Sequence, residues 1–132
     1  THLAKMLSDE QHDIVLMDAN EERMANLDSN FDLMTIAASP TSISSLKDAG
    51  VADADLFVAV TPEESTNITA CMLAHSLGAK KTVARIDNYE YLQPKNKEFF
   101  TKLGISCAPT LCALACIRVI LWQIFACVDV QA

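Results

Sequence analysis

Short apolar runs alternate along this chain with longer stretches of mixed polarity. Residues 13–17, Leu33 to Ala37, Leu56 to Val60 and Thr82 to Ile86 are β-rich, each five residues long, and bounded by polar or turn residues. That is the pattern of strands buried on both faces. The stretches between them carry apolar residues at helical spacing. Residues 1–10 bring Leu3, Ala4, Met6 and Leu7, and residues 21–29 bring Met24 and Leu27. A short helix after Pro40 is expected to bury Ile43 and Leu46 and to stop at Gly50. Thr61-Pro62-Glu63-Glu64 reads as a helix start, with Thr61 capping the open amides, Pro62 in the first turn and Glu64 closing a capping box. That helix runs to Leu77 and stops at Gly78; another spans Tyr89 to Leu103 and stops at Gly104. Strand and helix alternate with short connections, which predicts an α/β fold: a parallel sheet with helices on both faces.

The first strand leads straight into Asp18, followed by the polar helix start Asn20-Glu21-Glu22. An acid at the carboxyl end of a strand, at a βα junction, is placed to accept hydrogen bonds from ribose hydroxyls in a Rossmann-like dinucleotide fold. A negative side chain there favours a free ribose diol over a 2′-phosphate. The glycine-rich loop of such a fold lies about 20 residues before the acid, which here falls ahead of Thr1. The first central strand is therefore expected to be missing. Its absence leaves a gap between residues 13–17 and Leu56 to Val60 that must close or be filled by another segment, because unpaired strand edges are not stable in a core.

Composition changes the picture at the C-terminal end. The chain has 132 residues, enough for one domain, and 51% are hydrophobic. Residues 1–106 mix charged, polar and apolar residues; residues 107–132 hold four of the five cysteines and only Arg118 and Asp129 as charges. The chain divides on this basis into a nucleotide-binding domain, 1–106, and a hydrophobic, cysteine-rich tail, 107–132. Leu111 to Val128 reads as a helix in an oligomer core, as a membrane segment weakened by Arg118 and Gln123, or as a stretch foreign to the domain. The net charge of −7 argues against nucleic acid or an anionic membrane surface as main partner. Asp9, Glu10 and Asp13 interrupt any apolar signal region. Cys107, Cys112 and Cys116 lack C-x-x-C pairing and a nearby histidine, so buried thiols are expected rather than a metal site.

Candidate chemistry gathers at the strand ends. Asp18 is either a ribose acceptor or a solvated turn residue. Asn20 is expected to cap the next helix. Arg23, one turn into it, reaches a phosphate, stacks on adenine or pairs on the surface. Ser39 and Thr41 sit among small residues where a base can approach the backbone, or cap the following helix. Thr61 lies at the end of the third predicted strand; its backbone and hydroxyl touch ribose or pyrophosphate, or cap. Asn67 lies deeper on the same helix. Arg85, inside an apolar strand, needs a ligand phosphate, an effector or Asp87 as partner. No metal spacing and no Ser-His-Asp or Cys-His unit is legible, and the chain leaves little room for a substrate domain. A sensor is favoured over a catalyst.

Several segments resemble a known family: Thr1-His2-Leu3-Ala4-Lys5-Met6-Leu7, Val15-Leu16-Met17-Asp18-Ala19-Asn20-Glu21-Glu22-Arg23, Ala54-Asp55-Leu56-Phe57-Val58-Ala59-Val60-Thr61, Asn67-Ile68-Thr69-Ala70-Cys71 and Val83-Ala84-Arg85-Ile86. They are similar to the N-terminal RCK (KTN) domain of the TrkA family, the regulatory proteins of bacterial Trk potassium uptake, over about residues 1–105. The resemblance implies a non-catalytic, cytoplasmic protein at the inner face of the membrane. It implies binding of NAD or NADH, or ATP or ADP in relatives, and control of a potassium-translocating membrane subunit by dimers or larger rings. It places Asp18 at the adenosine ribose, Arg23 near adenine or phosphates, and Thr61 along the pocket; Ala19, Ser39, Thr41 and Asn67 are counted with them as candidate ligand contacts. Arg85 falls near the phosphates or a subunit contact. Leu111 to Val128 corresponds to a crossover helix used in dimerisation. A fragment of a small NAD-dependent oxidoreductase and a nonbinding dimerisation scaffold are the alternatives.

Overall fold

The structure, a computed structural model, describes residues 13–22, 25, 34–108 and 123–128. The strands are β1 (Asp13–Asp18), β2 (Met34–Ala37), β3 (Leu56–Val60), β4 (Thr82–Arg85), β5 (Ser106–Ala108) and β6 (Gln123–Val128). The helices are α1 (Ile43–Asp48), α2 (Glu64–Leu77), α3 (Tyr89–Leu92) and α4 (Pro94–Lys102), with a 3-10 turn at Val51–Asp53. Among the described residues the strands form one sheet in the order β2-β1-β6-β3-β4-β5, and every neighbouring pair is parallel.

That order is the doubly wound order 3-2-1-4-5-6 with the place of strand 1 taken by β6. Leu16 and Val58 both align with Ala126, and Met17 and Ala59 with Cys127. The gap expected between β1 and β3 is thus closed by the chain's own C-terminal segment. A crossover helix reaching Val128 does not form over Gln123–Val128, which are strand; residues 109–122 lie outside the described residues. The physical reason is the sheet edge. Two facing strands with open N–H and C=O groups bind an apolar segment along its whole length, whereas a helix there would leave both ladders unmade.

Strands β3 and β4 and the described side chains of β1 are buried on both faces of the sheet, apart from the strand ends. Val15, Met17, Phe57, Ala59, Ala84 and Ile86 form one core with Leu46 of α1 and with Ala70, Cys71 and Ala74 of α2. The small residues of α2 let its axis lie close over β3 and β4. Leu16, Leu56, Val58 and Val83, which the pleat turns to the opposite face, are equally buried. Burial on both faces explains why these strands read as continuous apolar runs. The turn after α2 uses Gly78 at φ +122°, where an added Cβ would lie 3.2 Å from the Ala52 carbonyl oxygen.

Three local expectations change. The stretch Tyr89 to Leu103 is two helices, not one, because Gln93 precedes Pro94 and adopts φ −61°, ψ 136°; the ring of a proline drives the preceding residue out of the helical region. Ile43 is exposed and Leu46 alone anchors α1. β5 did not stand out in the sequence, since Ser106-Cys107-Ala108 is short and small-chained. The expected helix at residues 1–10 lies outside the described residues, as do Met24 and Leu27. Among the described residues no helix is long and apolar enough to cross a membrane.

Candidate functional site

Parallel strands all end on the same side of the sheet, and here β1, β3 and β6 end together: Val60 aligns with Val128 and Met17 with Cys127. At that end, where the chain order reverses, an open crevice of about 350 Å³ is lined by Met17, Asp18, Ala19, Pro40, Thr61, Pro62, Glu63 and Thr66. This is the position at which doubly wound sheets bind ligands. The volume sits at the small end of the roughly 300–1,000 Å³ range of ligand clefts.

Asp18 closes β1, and its Oδ1 accepts the Asn20 backbone N–H at 2.9 Å. This tight turn points the chain away from the sheet and holds the carboxylate at the crevice mouth. The Ala38 backbone N–H donates to the Asp18 carbonyl at 3.0 Å, tying β1 to the segment after β2. There the Ser39 and Thr41 hydroxyls bond each other at 3.0 Å, and the Thr41 N–H donates to Ser39 Oγ at 3.3 Å. The helix cap expected of one of them falls instead to Ser42, whose side chain accepts from the Ser45 N–H. Between them Pro40 reaches the crevice, so the turn delivers a ring rather than a hydroxyl to the lining.

Thr61 ends β3, and Asn67 fixes it. Asn67 is completely buried. Its Oδ1 accepts the Thr61 N–H at 2.9 Å and the Thr61 hydroxyl at 2.7 Å. Its Nδ2 donates to the carbonyls of Thr61 at 2.9 Å and Arg85 at 3.1 Å. The amide orientation follows from these neighbours: a flipped group would set a donor against the Thr61 N–H and an acceptor against two carbonyls. Thr61 therefore does not cap α2. The helix begins at Glu64, two residues later than expected, with Glu63 in the capping position and no side-chain cap bond. Pro62 and Glu63 form the crevice wall, and Thr66 Oγ1 donates to Glu63 Oε2 at 2.9 Å.

Glu64 also departs from the expected capping box. Its Oε1 accepts the N–H groups of Asp87 and Asn88 at 3.0 and 2.8 Å, stapling α2 to the loop after β4. Arg85, at the end of β4, donates from Nε to Asp87 Oδ2 at 3.2 Å and does not line the crevice. Among the sequence candidates the crevice thus brings together Asp18, Ala19 and Thr61. Asn67 stands behind it as a brace, Ser39 and Thr41 flank it, Arg85 lies apart, and Arg23 is outside the described residues. Pro40 belongs to the small-residue segment singled out after β2, and Glu63 to the acidic helix start expected to weaken anion binding; Pro62 and Thr66 were not named as site residues, though for Thr66 the signal was available in the first turn of a helix that follows a strand. Among the described residues no group of three His, Cys, Asp or Glu is placed to hold a metal ion.

The fit to a dinucleotide divides at the ribose. A carboxylate at Asp18 suits a diol. The chain's three glycines, however, follow α1, α2 and α4 at Gly50, Gly78 and Gly104, away from the crevice. Among the described residues, no glycine lines the crevice.

Comparison with known proteins agrees with this architecture. The model of the TrkA-N domain family matches residues 1–111. The Trk system potassium uptake protein TrkA of Haemophilus influenzae is 43% identical over 100 residues, covering 75% of this chain and 22% of that protein. The TrkA homolog of Methanothermobacter thermautotrophicus is 33% identical over 103 residues, covering 78% of this chain and 45% of that protein. The chain therefore spans less than half the length of these relatives. Among solved structures, the GsuK channel bound to NAD superposes with a TM-score of 0.65 at 20% identity, over 81% of this chain and 19% of that one. The NAD(P)-binding domain of an exopolyphosphatase-related protein from Archaeoglobus fulgidus gives 0.67 at 16% identity, over 89% and 84%. These two likenesses, at such low identity, speak to the fold. The family match spans most of the chain and the strand order is that of a doubly wound sheet: the protein belongs to the TrkA-N domain family.

Proposed function

We propose that this chain is the nucleotide-sensing module of a potassium-uptake regulator: a non-catalytic domain that binds an adenosine-containing ligand at the crevice beside Asp18 and passes the state of that site to a potassium-translocating membrane subunit. The carrying observation is Asp18 at the carboxyl end of β1, in the crevice at the point where the strand order reverses. Family membership supports the link to potassium uptake, since the relatives are named as Trk system potassium uptake proteins. NAD or NADH is the first ligand to test, because the GsuK channel, which shares this fold, has a structure bound to NAD; ATP and ADP follow. In this reading the protein works as a dimer or larger ring at the cytoplasmic face of the membrane, where a peripheral regulator must sit to reach its subunit.

The network behind the crevice suits a sensor. Asn67 ties Thr61 in the crevice to the end of β4, and Glu64 ties α2 to the loop beyond it. A ligand that shifts the Thr61–Glu63 turn thereby acts on α2 and β4 together. The test is calorimetric titration with NADH, NAD, ATP, ADP and adenosine, using the chain and its Asp18→Ala variant. Binding of at least one adenosine ligand is expected, weakened about ten-fold or more by the substitution, since a carboxylate accepting two ribose hydroxyls loses two charge-assisted bonds. Absence of binding by every ligand, or equal binding by the variant, overturns the proposal.

A further inference from the structure

The turn after β2 gives the crevice one of its walls, and its hydrogen bonds decide which atoms form that wall. Ser39 opens the turn: its carbonyl accepts the Ser42 N–H at 3.1 Å. Pro40 takes the second position, where its ring fixes φ near the value such a turn needs. The Ser39 hydroxyl oxygen accepts the Thr41 N–H at 3.3 Å and bonds the Thr41 hydroxyl at 3.0 Å. Ser42 then caps α1. Exposure alternates along the turn: Ser39 and Thr41 are exposed, and Pro40 between them is half-buried. The two hydroxyls face each other at the surface while the pyrrolidine ring lines the crevice.

The turn is also tied to Asp18. Ala37 aligns with Asp18 across β1 and β2, and the Ala38 N–H donates to the Asp18 carbonyl at 3.0 Å. β2 is the neighbour of β1 on one side, and β3 is reached only across β6 on the other. With a ribose at Asp18, a group carried toward β2 meets the Pro40 ring. A group carried toward β3 meets the Thr61 and Thr66 hydroxyls and the Glu63 carboxylate. The first surface is apolar and rigid; the second is polar. A flat, uncharged base gains free energy by leaving water against the first, in proportion to the apolar area it covers. A two-ring purine covers more of it than a one-ring pyrimidine.

Resting on the nucleotide-sensing reading above, we infer that Pro40 is a specificity-determining residue whose ring packs against the ligand's base and favours purine over pyrimidine. Ser39 and Thr41 are positioning residues that act through Pro40, not ligand contacts. Their hydroxyls are engaged in holding the turn, so a rigid ring faces the ligand at this wall. Little ordering is needed when the base arrives, because the turn's own bonds have already set the ring in place.

Titrating the chain with AMP and UMP, which share ribose and phosphate and differ in the base, isolates this contact from the rest of the site. AMP is expected to bind about five-fold or more tightly than UMP. Pro40→Ala, which removes the ring, is expected to narrow that ratio by about three-fold. Ser39→Ala frees the turn and narrows the ratio in the same direction, whereas Ser39→Thr, which keeps the hydroxyl, preserves it. Asp18→Ala weakens both nucleotides by a common factor and leaves the ratio as it was. Equal affinity for AMP and UMP, or a loss in Pro40→Ala that is common to both, overturns the inference and leaves the nucleotide-sensing reading standing. NADH binding that Pro40→Ala leaves unchanged does the same. Failure of AMP, UMP and NADH to bind overturns both.

Discussion

Asn67 carries more of the architecture than any other single polar residue described. Its side chain makes four hydrogen bonds while fully buried, so that truncating it strands an N–H and two carbonyls inside the protein. Asn67→Ala is expected to lower unfolding stability by about 2–4 kcal/mol, since each stranded group costs about 1–3 kcal/mol and the β3–α2 turn relaxes in part. Urea denaturation followed by circular dichroism measures it, and a loss under 1 kcal/mol would show that Asn67 does not hold the turn. At this scale the sequence was legible where the residue type alone states the chemistry. Asp18 at a strand end is an acceptor wherever the fold is doubly wound. Asn67 was not legible as a brace, because its partners Thr61 and Arg85 come from two other elements and meet it only when β3, α2 and β4 assemble.

At the scale of elements, β6 is the decisive one. It is the central strand, bonded on one side to β1 and on the other to β3, with Ala126 aligned between Leu16 and Val58. Proline at position 126 removes an N–H from the ladder and places a ring against a neighbouring backbone, at a position where the sheet has no edge. Ala126→Pro is expected to cost about 3 kcal/mol or more and to abolish cooperative unfolding at ambient temperature. Retention of a native-like urea transition would mean that Gln123–Val128 are not the strand between β1 and β3. The α3–α4 break gives the contrasting case. Pro94 stands in plain view in the sequence, and the rule that the preceding residue leaves the helical region would have divided Tyr89 to Leu103 correctly. The apolar period across the break hid it.

The whole molecule sets how its thiols behave. Burial pushes the Cys71 thiol up, with the Ala59 backbone hydrogen bond opposing, and pushes the Cys107 thiol up to about 11, with Lys97 opposing. A thiol whose folded pKa is raised contributes stability that is complete below its unfolded value, 9.0, and is lost as pH rises through the folded value. Stability is therefore expected to fall between about pH 9 and 11, as unfolding lets both thiols ionise. Urea midpoints at pH 8 and pH 10.5 check it against Cys71→Ala, in which the fall should be shallower; identical falls would assign the effect to other groups. The same packing closes the sheet.

The alternation of short apolar strands with helical stretches determined a parallel α/β sheet, and the acid in the sequence marked the carboxyl end of β1, because these features depend on local periodicity and on the side a strand's residues face. The need to fill the space between β1 and β3 was also legible, since parallel strands cannot leave buried edges open. Which segment fills it was decided only by tertiary structure. A run such as Leu111 to Val128 is apolar enough for helix, strand or oligomer core, and what selects strand over Gln123–Val128 is the pair of open hydrogen-bonding edges that β1 and β3 present together. The crevice lining followed the same division: Asp18 at a strand end was local, whereas the bracing of Thr61 by Asn67 took shape only once the turn between β3 and α2 was in place.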